Sequence, residues 1–129
     1  MKRVLLADDE PLALTLLRHM IDWEHYGLEL AGSAQNGDEL YEMIFALRPD
    51  IVITDIEMPK MDGHRLTKLV KEDEELKHIP IVIFSSLIDE EMRRKGKAVG
   101  ADEQLSKPEI GHLVEILDYL LEKRGIRHE

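Results

Sequence analysis

Short apolar runs alternate along the chain with longer segments in which apolar residues recur every three or four positions. The runs VLLA at 4–7, IVIT at 51–54 and IVIF at 81–84 lack the polar–apolar alternation of a half-exposed strand. They therefore predict strands that are covered on both faces. Two further runs, LELAGSA at 28–34 and EQL at 103–105, predict a second and a fifth strand.

Five segments between and after these runs have the helical period, and they cover residues 11–22, 37–47, 63–75, 89–99 and 109–122. Helix-capping residues support these assignments: Asn36 precedes the second segment, Asp89 begins the fourth and Gly100 follows it. In the first segment we expect one apolar stripe to face the core. That stripe consists of Leu12, Leu16, Leu17 and Met20.

A strand followed by a helix, five times over, predicts an α/β fold with one parallel five-stranded sheet and helices on both of its faces. The chain has 129 residues, which fits one domain over 1–123 and a short C-terminal tail over 124–129. Ligands of such doubly wound (βα)5 sheets bind beyond the carboxyl ends of the strands, near the point where strand order reverses. We therefore expect the functional site at that edge.

Composition excludes several classes of function. The chain has 17 basic and 27 acidic residues, a net charge of −10, so nucleic acid and anionic membrane surfaces should repel it. Because cysteine is absent, disulfides, thiol catalysis and thiolate metal sites are excluded. No signal-peptide pattern opens the sequence, and no apolar run approaches the roughly 20 residues of a membrane helix, so we expect a cytoplasmic protein.

Acids, hydroxyls and one lysine follow the predicted strands. Carboxylates that lie close together repel one another unless a cation holds them ionised, and ligation by oxygen alone indicates a hard ion such as Mg²⁺. A cation, an ammonium, a hydroxyl and a free carboxylate together suit phosphoryl transfer with the carboxylate as nucleophile. The residues concerned are Asp8, Asp9, Asp55, Glu57, Ser85 and Lys107.

Each of these residues has an ordinary structural interpretation when taken alone. A single acid or serine after a strand is most often a helix cap, and Lys-Pro is most often a turn. The functional hypothesis depends on all of them meeting at one edge of the sheet.

Trp23 is interpreted as a packing residue, and the basic residues 93–97 as a solvated helix face. The histidines show no metal-ligand spacing and are interpreted as solvated: His19, His25, His64, His78, His112 and His128.

The motifs LLADDE, ITDIEMPKMDG, IVIFSS, GAD (100–102) and SKP resemble those of response-regulator receiver domains, from Arg3 to about Leu121. The resemblance implies a CheY-like protein with the flavodoxin-like fold. It implies that Asp55 is the phosphoacceptor, that Ser85 is the switch hydroxyl and that Lys107 pairs with the phosphoryl group. It also implies a Mg²⁺ site with Asp9 as the direct ligand of the Asp8–Asp9 pair. Asp55 and the backbone carbonyl of Glu57 would complete the protein ligands.

The same resemblance implies a function in two-component signalling. Asp55 would receive its phosphoryl group from a histidine kinase or phosphotransfer protein, and water would later remove it, so the protein acts on no other substrate as an enzyme. The fourth helix, fifth strand and fifth helix would then contact a downstream protein target. A homodimer contact through the fifth helix stays open, and neither nucleic acid nor membrane is expected as a partner.

Two departures from the family pattern are visible. Gln104 stands where an aromatic switch residue is usual, and Glu109 follows Lys107–Pro108 in place of the commoner aromatic residue. The N-terminal half also resembles receivers of AraC-type regulators, whereas the C-terminal half resembles receivers of CheV-type chemotaxis proteins. The alternative is therefore an engineered or recombinant receiver-fold scaffold with no native signalling role, and a truncated piece of a longer natural protein is a third interpretation.

Overall fold

Five parallel strands form one sheet in the computed structural model, which describes residues 1–86, 88–107 and 110–123. Five α-helices alternate with the strands in this part of the chain, so the expected α/β fold is confirmed. The strands are β1 (Lys2–Ala7), β2 (Leu28–Ala34), β3 (Ile51–Thr54), β4 (Ile81–Ser85) and β5 (Glu103–Ser106). The helices are α1 (Pro11–Met20), α2 (Gly37–Leu47), α3 (Gly63–Glu72), α4 (Glu90–Ala98) and α5 (Ile110–Lys123).

The strand order is β2-β1-β3-β4-β5, so the direction of winding reverses between β1 and β3. Ala7 and Thr54 are partners at the carboxyl ends of these two strands. The loops that begin with Asp8 and Asp55 therefore leave the sheet side by side. This is the crevice in which doubly wound sheets bind their ligands.

Alternate side chains of the strands enter two separate apolar layers. Val4 and Leu6 of β1 belong to the layer under α1 and α5, whereas Leu5 belongs to the layer under α2 and α3. Because both faces of β1, β3 and β4 are covered, each of these strands contains a continuous run of buried apolar residues, at 4–7, 51–53 and 81–84. A fully buried aliphatic side chain contributes about 2 kcal/mol, so the two layers fix the strands that position the site.

The predicted element boundaries agree closely with the observed ones. The second and third strands and the second helix have the predicted bounds, and the other elements differ by one to three residues at an end. The caps are confirmed, since Asn36 accepts from the amide of Glu39 and Asp89 from the amide of Met92, each at 2.8 Å. The sequence did not predict the short 3-10 turn Glu24–Tyr26 that leads into β2.

The apolar stripe predicted for α1 is wrong in three of its four members. Leu12, Leu16 and Met20 are 65%, 49% and 59% exposed. The buried row is instead Leu14, Leu17 and Ile21. Both rows have helical spacing, and only the path of the chain from β1 decides which row faces the sheet. Trp23 is buried as expected, and its indole nitrogen donates to the carbonyl of Leu17 at 3.3 Å.

An ion pair that the sequence did not predict joins α3 to the starts of β4 and β5. Lys71 Nζ lies 2.7 Å from Asp102 Oδ2 and also donates to the carbonyl of Ile79 at 2.8 Å. The same Asp102 oxygen accepts from the amide of Ile81 at 2.8 Å. Both side chains are largely buried, so each charge is stabilised mainly by the other and not by water.

Within the described residues, no helix is long and apolar enough to cross a bilayer.

Replacement of Lys71 by methionine should lower the free energy of unfolding by about 3 kcal/mol, because it leaves the carboxylate of Asp102 buried without its counter-charge. Urea denaturation measures the loss. Lys77→Met is the matched control, since Lys77 pairs with Glu74 at the exposed surface and should contribute less than about 1 kcal/mol. Equal losses in the two variants would contradict a larger contribution of the buried Lys71–Asp102 pair to the free energy of unfolding.

Candidate functional site

Asp55 is held at the end of β3 by its own backbone. Its amide donates to the carbonyl of Ala7 at 2.9 Å, which joins it to the end of β1. Its side-chain Oδ1 accepts from the amide of Ile56 at 2.7 Å, and the residue is only 8% exposed. Because Oδ1 is engaged in this way, Oδ2 is the oxygen that faces the crevice with Lys107, 3.6 Å from the ammonium.

Two further carboxylates reach the same place from the loop after β1. Asp8 is 2% exposed, and its Oδ1 accepts from the amide of Glu10 at 3.0 Å. Asp9 is exposed. One carboxylate oxygen from each of Asp8, Asp9 and Asp55 lies within 4.8 Å of the others. The predicted meeting of acids from distant parts of the chain is therefore present, and such a cluster is electrostatically unfavourable without a cation.

Lys107 provides a positive charge at this cluster. Its Nζ forms a salt bridge with Asp8 Oδ2 and a longer one with Asp55. Its backbone amide donates to the carbonyl of Ser85 at 3.1 Å, which joins the ends of β4 and β5. Burial by itself would lower the pKa of Lys107, but the hydrogen bonds and charges of Asp8 and Asp55 outweigh burial and raise this pKa. The side chain is therefore a permanent cation at neutral pH.

Ser85 and Glu57 lie at the same end of the sheet but in different settings. Ser85 is the last residue of β4, fully buried and in register with Ser106 of β5. Glu57 is exposed, and its carboxylate is not a member of the three-carboxylate cluster found in the described residues. Glu57 and Asp9 line one cavity of about 640 Å³ together with Met58, Met92 and Lys95.

The loop after Asp55 requires glycine for space. A Cβ built on Gly63 would lie 2.1 Å from the carbonyl oxygen of Asp55, and the Gly63 amide donates to Ile56 at 2.8 Å. The φ of Gly63 is not positive, so space and not backbone conformation is the reason for glycine at this position. Lys60 instead takes the left-handed conformation, with φ of 69°. Close packing of α3 on the loop thus fixes Asp55.

His64 is a residue whose environment the sequence interpretation missed. We expected it to be solvated, but it is 9% exposed, on the first turn of α3, and lines the same cavity as Asp9 and Glu57. Its Nε2 is buried and has no hydrogen-bond partner within the described part of the chain. Burial lowers the pKa of His64, and the charge of Lys95 lowers it further. The charge of Asp62 and a hydrogen bond with the backbone of Met92 oppose this shift without cancelling it.

The other histidine expectations have mixed outcomes. His19, His25 and His78 are exposed, as expected. The side chain of His112 and all of His128 lie outside the described residues. Pro108, Glu109 and the tail 124–129 also lie outside them. The basic residues of α4, Arg93, Arg94, Lys95 and Lys97, are exposed, which confirms a solvated face.

The donor set at the rim fits a hard divalent cation. Every candidate ligand atom is a carboxylate oxygen, and neither histidine nor cysteine joins the cluster in the described residues. Mg²⁺ binds such oxygens and retains waters and phosphate oxygens as its remaining ligands. The exposed Asp9 leaves one side of the cluster open to solvent for those additional ligands.

Comparison with known proteins gives one consistent result. The family model of the response regulator receiver domain matches residues 4–118. The chain is 38% identical over 107 residues to the chemotaxis protein CheY of Halobacterium salinarum, which covers 83% of this chain and 85% of that protein. It resembles the REC domain of AraT, a response regulator from Geobacillus stearothermophilus, with a TM-score of 0.84 at 28% identity, covering 96% of this chain and 95% of that one.

A longer relative aligns with nearly the whole chain. The gliding motility regulatory protein of Myxococcus xanthus is 36% identical over 121 residues, or 94% of this chain. The chain spans only 15% of that protein's length, and it likewise spans 29% and 30% of two other relatives that it matches. The similarity to these longer proteins is therefore confined to one of their parts.

The buried His64 should make stability fall as the solution becomes acidic. Its folded-state pKa is lowered from 6.5, so below about that pH the unfolded chain binds a proton that the folded chain resists. Urea unfolding in chelator above and below pH 6.5 should show a smaller acid-induced loss for His64→Leu than for the wild type. His78→Leu, at an exposed histidine, should follow the wild type. A loss that is identical in all three chains would refute a buried neutral His64.

Proposed function

The chain belongs to the response regulator receiver domain family, and from that membership we propose that Asp55 accepts a phosphoryl group from a phosphohistidine and thereby switches a protein-contact surface. Receiver domains of this family serve as signalling modules rather than as enzymes. The observation that carries the proposal is the convergence of Asp8, Asp9, Asp55 and Lys107 at the point where strand order reverses.

Asp55 is the member of the cluster best suited to be the nucleophile. Both oxygens of Asp8 are engaged, one by the amide of Glu10 and the other by Lys107. Asp9 is exposed, and no hydrogen bond of its carboxylate is recorded within the described residues. Asp55 has one oxygen fixed by a backbone amide, whereas its other oxygen lies 3.6 Å from the Lys107 ammonium and not in direct contact with it, so this oxygen is both oriented and available.

In the proposed reaction Asp55 Oδ2 attacks phosphorus as the bond from phosphorus to the imidazole nitrogen of the donor breaks. The electron pair of that bond returns to the imidazole, which takes up a proton from solvent. Lys107 neutralises oxygen charge on the transferred group, and the hydroxyl of Ser85 donates to one of its oxygens. Hydrolysis by water later restores the free carboxylate of Asp55.

Asp8, Asp9 and Asp55 would hold Mg²⁺, with Asp9 the direct ligand of the first two, and the backbone carbonyl of Glu57 would complete the protein ligands. When bound, the ion supplies further neutralisation of phosphoryl oxygen charge. The assignment of Asp9 comes from the family resemblance, and the direct contact of Asp8 Oδ2 with Lys107 supports it. The exposed carboxylate of Glu57 agrees with a role for its backbone alone.

The exposed apolar row of α1 is a suitable docking surface for a kinase or phosphotransfer protein. It consists of Leu12, Leu16 and Met20, and α1 begins at Pro11, three residues after Asp8. A donor that reaches Asp55 must cover the surface beside the crevice, and an unpartnered apolar row at that place is typical of an interface. The switched surface toward a downstream protein would be α4, β5 and α5.

The recombinant or engineered scaffold remains the alternative to a native signalling role. In a recombinant, each half should match its own relative better than the two halves together match any single protein. The Myxococcus xanthus protein aligns across both halves in one stretch of 121 residues. We therefore favour the native receiver. The division into a domain over 1–123 and a short tail over 124–129 is a separate proposal.

Incubation with acetyl phosphate and Mg²⁺ should add the mass of one phosphoryl group to the intact protein, because Asp55 attacks a small donor as it attacks phosphohistidine. Asp55→Asn should add none, and chelation should abolish the addition to the wild type. Asp38→Asn, at an exposed position in the first turn of α2, is the matched control and should be phosphorylated normally. Phosphorylation of the Asp55→Asn protein would reject the assignment.

Leu16→Glu should slow phosphorylation by a histidine kinase or phosphotransfer protein that acts on the wild type by about tenfold, because it places a charge in the docking surface. Phosphorylation by acetyl phosphate should be unchanged, since that donor needs no protein contact. Phe45→Glu serves as control, because Phe45 is equally exposed but lies on α2. A similar slowing with both donors would place the defect in the site instead.

A further inference from the structure

The turn between β2 and α2 contributes no residue to the proposed site, yet it contacts both loops that do. The carbonyl of Ala34, the last residue of β2, accepts from the amide of Asp8 at 3.1 Å. Three residues later Gly37 begins α2 and lies against Met61, in the loop that joins Asp55 to α3. One short segment therefore supports the site from both of its acidic loops.

The contact at Gly37 is one of backbone against backbone. A Cβ built on this buried glycine would lie 1.9 Å from the carbonyl oxygen of Met61 and 2.6 Å from its carbonyl carbon. The Gly37 amide also donates to the carbonyl of Pro59, across a long 3.5 Å. Because the neighbouring atoms belong to the main chain, a methyl group at this position could be accommodated only if the loop itself moved.

The part of the loop that Gly37 contacts is a strained turn. The amide of Met61 donates to the carbonyl of Pro59 at 2.8 Å, and Lys60 between them has a φ of 69°. A bond between residues two apart around a positive φ is the rare form of γ-turn. A lysine in this conformation persists only where surrounding contacts impose it. Gly37 meets the turn at both of its ends and is placed to impose it.

The start of α2 is itself firmly held. The side chain of Asn36 accepts from the amide of Glu39 at 2.8 Å, and the carboxylate of Glu39 accepts from the amide of Gln35 at 3.0 Å. These reciprocal bonds resemble a capping box. Leu40 and Ile44 of the same helix are fully buried. The helix end thus offers the loop a fixed surface.

The strained turn begins two residues after Glu57, whose backbone carbonyl is a proposed ligand of Mg²⁺. The loop is attached before the turn by burial of Met58 and after it by the bond from the Gly63 amide to the carbonyl of Ile56. The contact with Gly37 fixes the stretch between these two attachments. Since Mg²⁺ demands near-ideal octahedral geometry, even a small shift of a carbonyl ligand should weaken its binding.

We propose that Gly37 is a positioning residue of the divalent-cation site: it holds the strained turn 59–61 against the end of α2 and thereby keeps the Glu57 carbonyl in place for the ion. Gly37 acts through the loop and contacts neither the ion nor the phosphoryl group. The inference rests on the proposed function, in which Mg²⁺ assists phosphorylation of Asp55.

Titration of the ¹⁵N-labelled protein with MgCl₂, followed by amide chemical shifts, measures the affinity for the ion without any phosphoryl donor. Gly37→Ala should bind Mg²⁺ about tenfold more weakly, as is typical when a residue that orients a metal ligand is changed. Because alanine is a better helix former than glycine, a weaker helix would not explain this loss. Gly111→Ala, at the start of α5, should bind as the wild type does, since a Cβ there meets no atom within 4 Å.

The dependence of phosphorylation on Mg²⁺ separates positioning from a general structural defect. With acetyl phosphate as donor, Gly37→Ala should need about ten times more Mg²⁺ for its half-maximal rate. At saturating Mg²⁺ it should reach the rate of the wild type, because Asp55 and Lys107 are unchanged. A lower maximal rate with an unchanged Mg²⁺ requirement would contradict the positioning role.

A second variant tests the same support without added bulk, in case Gly37→Ala does not fold. Asn36→Ala removes the cap that holds the start of α2, so it should also weaken Mg²⁺ binding, though less than Gly37→Ala. Asp22→Ala is the matched control, because it removes a comparable bond to the amide of His25, before the 3-10 turn. Its affinity for Mg²⁺ should equal that of the wild type.

The two levels of the proposal can fail separately. If the wild type shows no Mg²⁺-dependent shifts and takes up no phosphate, the proposed function fails and the role of Gly37 fails with it. If the wild type does both, and Gly37→Ala and Asn36→Ala bind Mg²⁺ with the same affinity as the wild type, only the role of Gly37 is overturned.

Discussion

The crowding of three carboxylates at one edge of the sheet is the constraint on which the rest of the structure depends. The two acidic loops are held side by side, because Ala7 pairs with Thr54 and the Asp55 amide donates to the carbonyl of Ala7. Repulsion within the cluster is offset by Lys107 and by backbone amides that donate to the carboxylates. Two apolar layers hold the strands rigid enough to maintain an arrangement that charge alone would disperse.

Lys107 links this constraint to the opposite edge of the sheet. As the only cation in direct contact with the described carboxylate cluster, it sits on Asp8 and is anchored through its amide to the carbonyl of Ser85. The proposed dianionic phosphoryl group on Asp55 would compete for the same ammonium with more charge than Asp8 offers. Because Lys107 directly follows β5, a shift of its ammonium would act on the end of that strand without any change in the apolar layers.

Local patterns predicted most of the fold, because strands, helices and caps are properties of short segments. Continuous apolar runs marked the strands, and the polar residues after them marked the edge where Asp8, Asp55 and Lys107 meet. The rotation of α1, the burial of His64 and the Lys71–Asp102 pair could not be predicted in this way. Each depends on contacts between elements far apart in the chain, and two apolar rows of equal spacing on one helix carry no signal of which faces inward.

The distribution of satisfied and unsatisfied groups separates the fixed part of the molecule from the part that can respond. At the rim, Asp8 and the backbone of Asp55 have hydrogen-bond partners at short distances. Beside α4, by contrast, Gln104 Oε1 and His64 Nε2 are buried and find no hydrogen-bond partner among the described residues, and the helix buries no large side chain. A receiver needs a site that does not move and a surface that does. An unpaired buried atom raises the free energy of the observed arrangement. It therefore reduces the free-energy difference between this arrangement and any other in which the atom has a hydrogen-bond partner. Among the described helices, α4 is for that reason the one best suited to respond to the proposed phosphorylation.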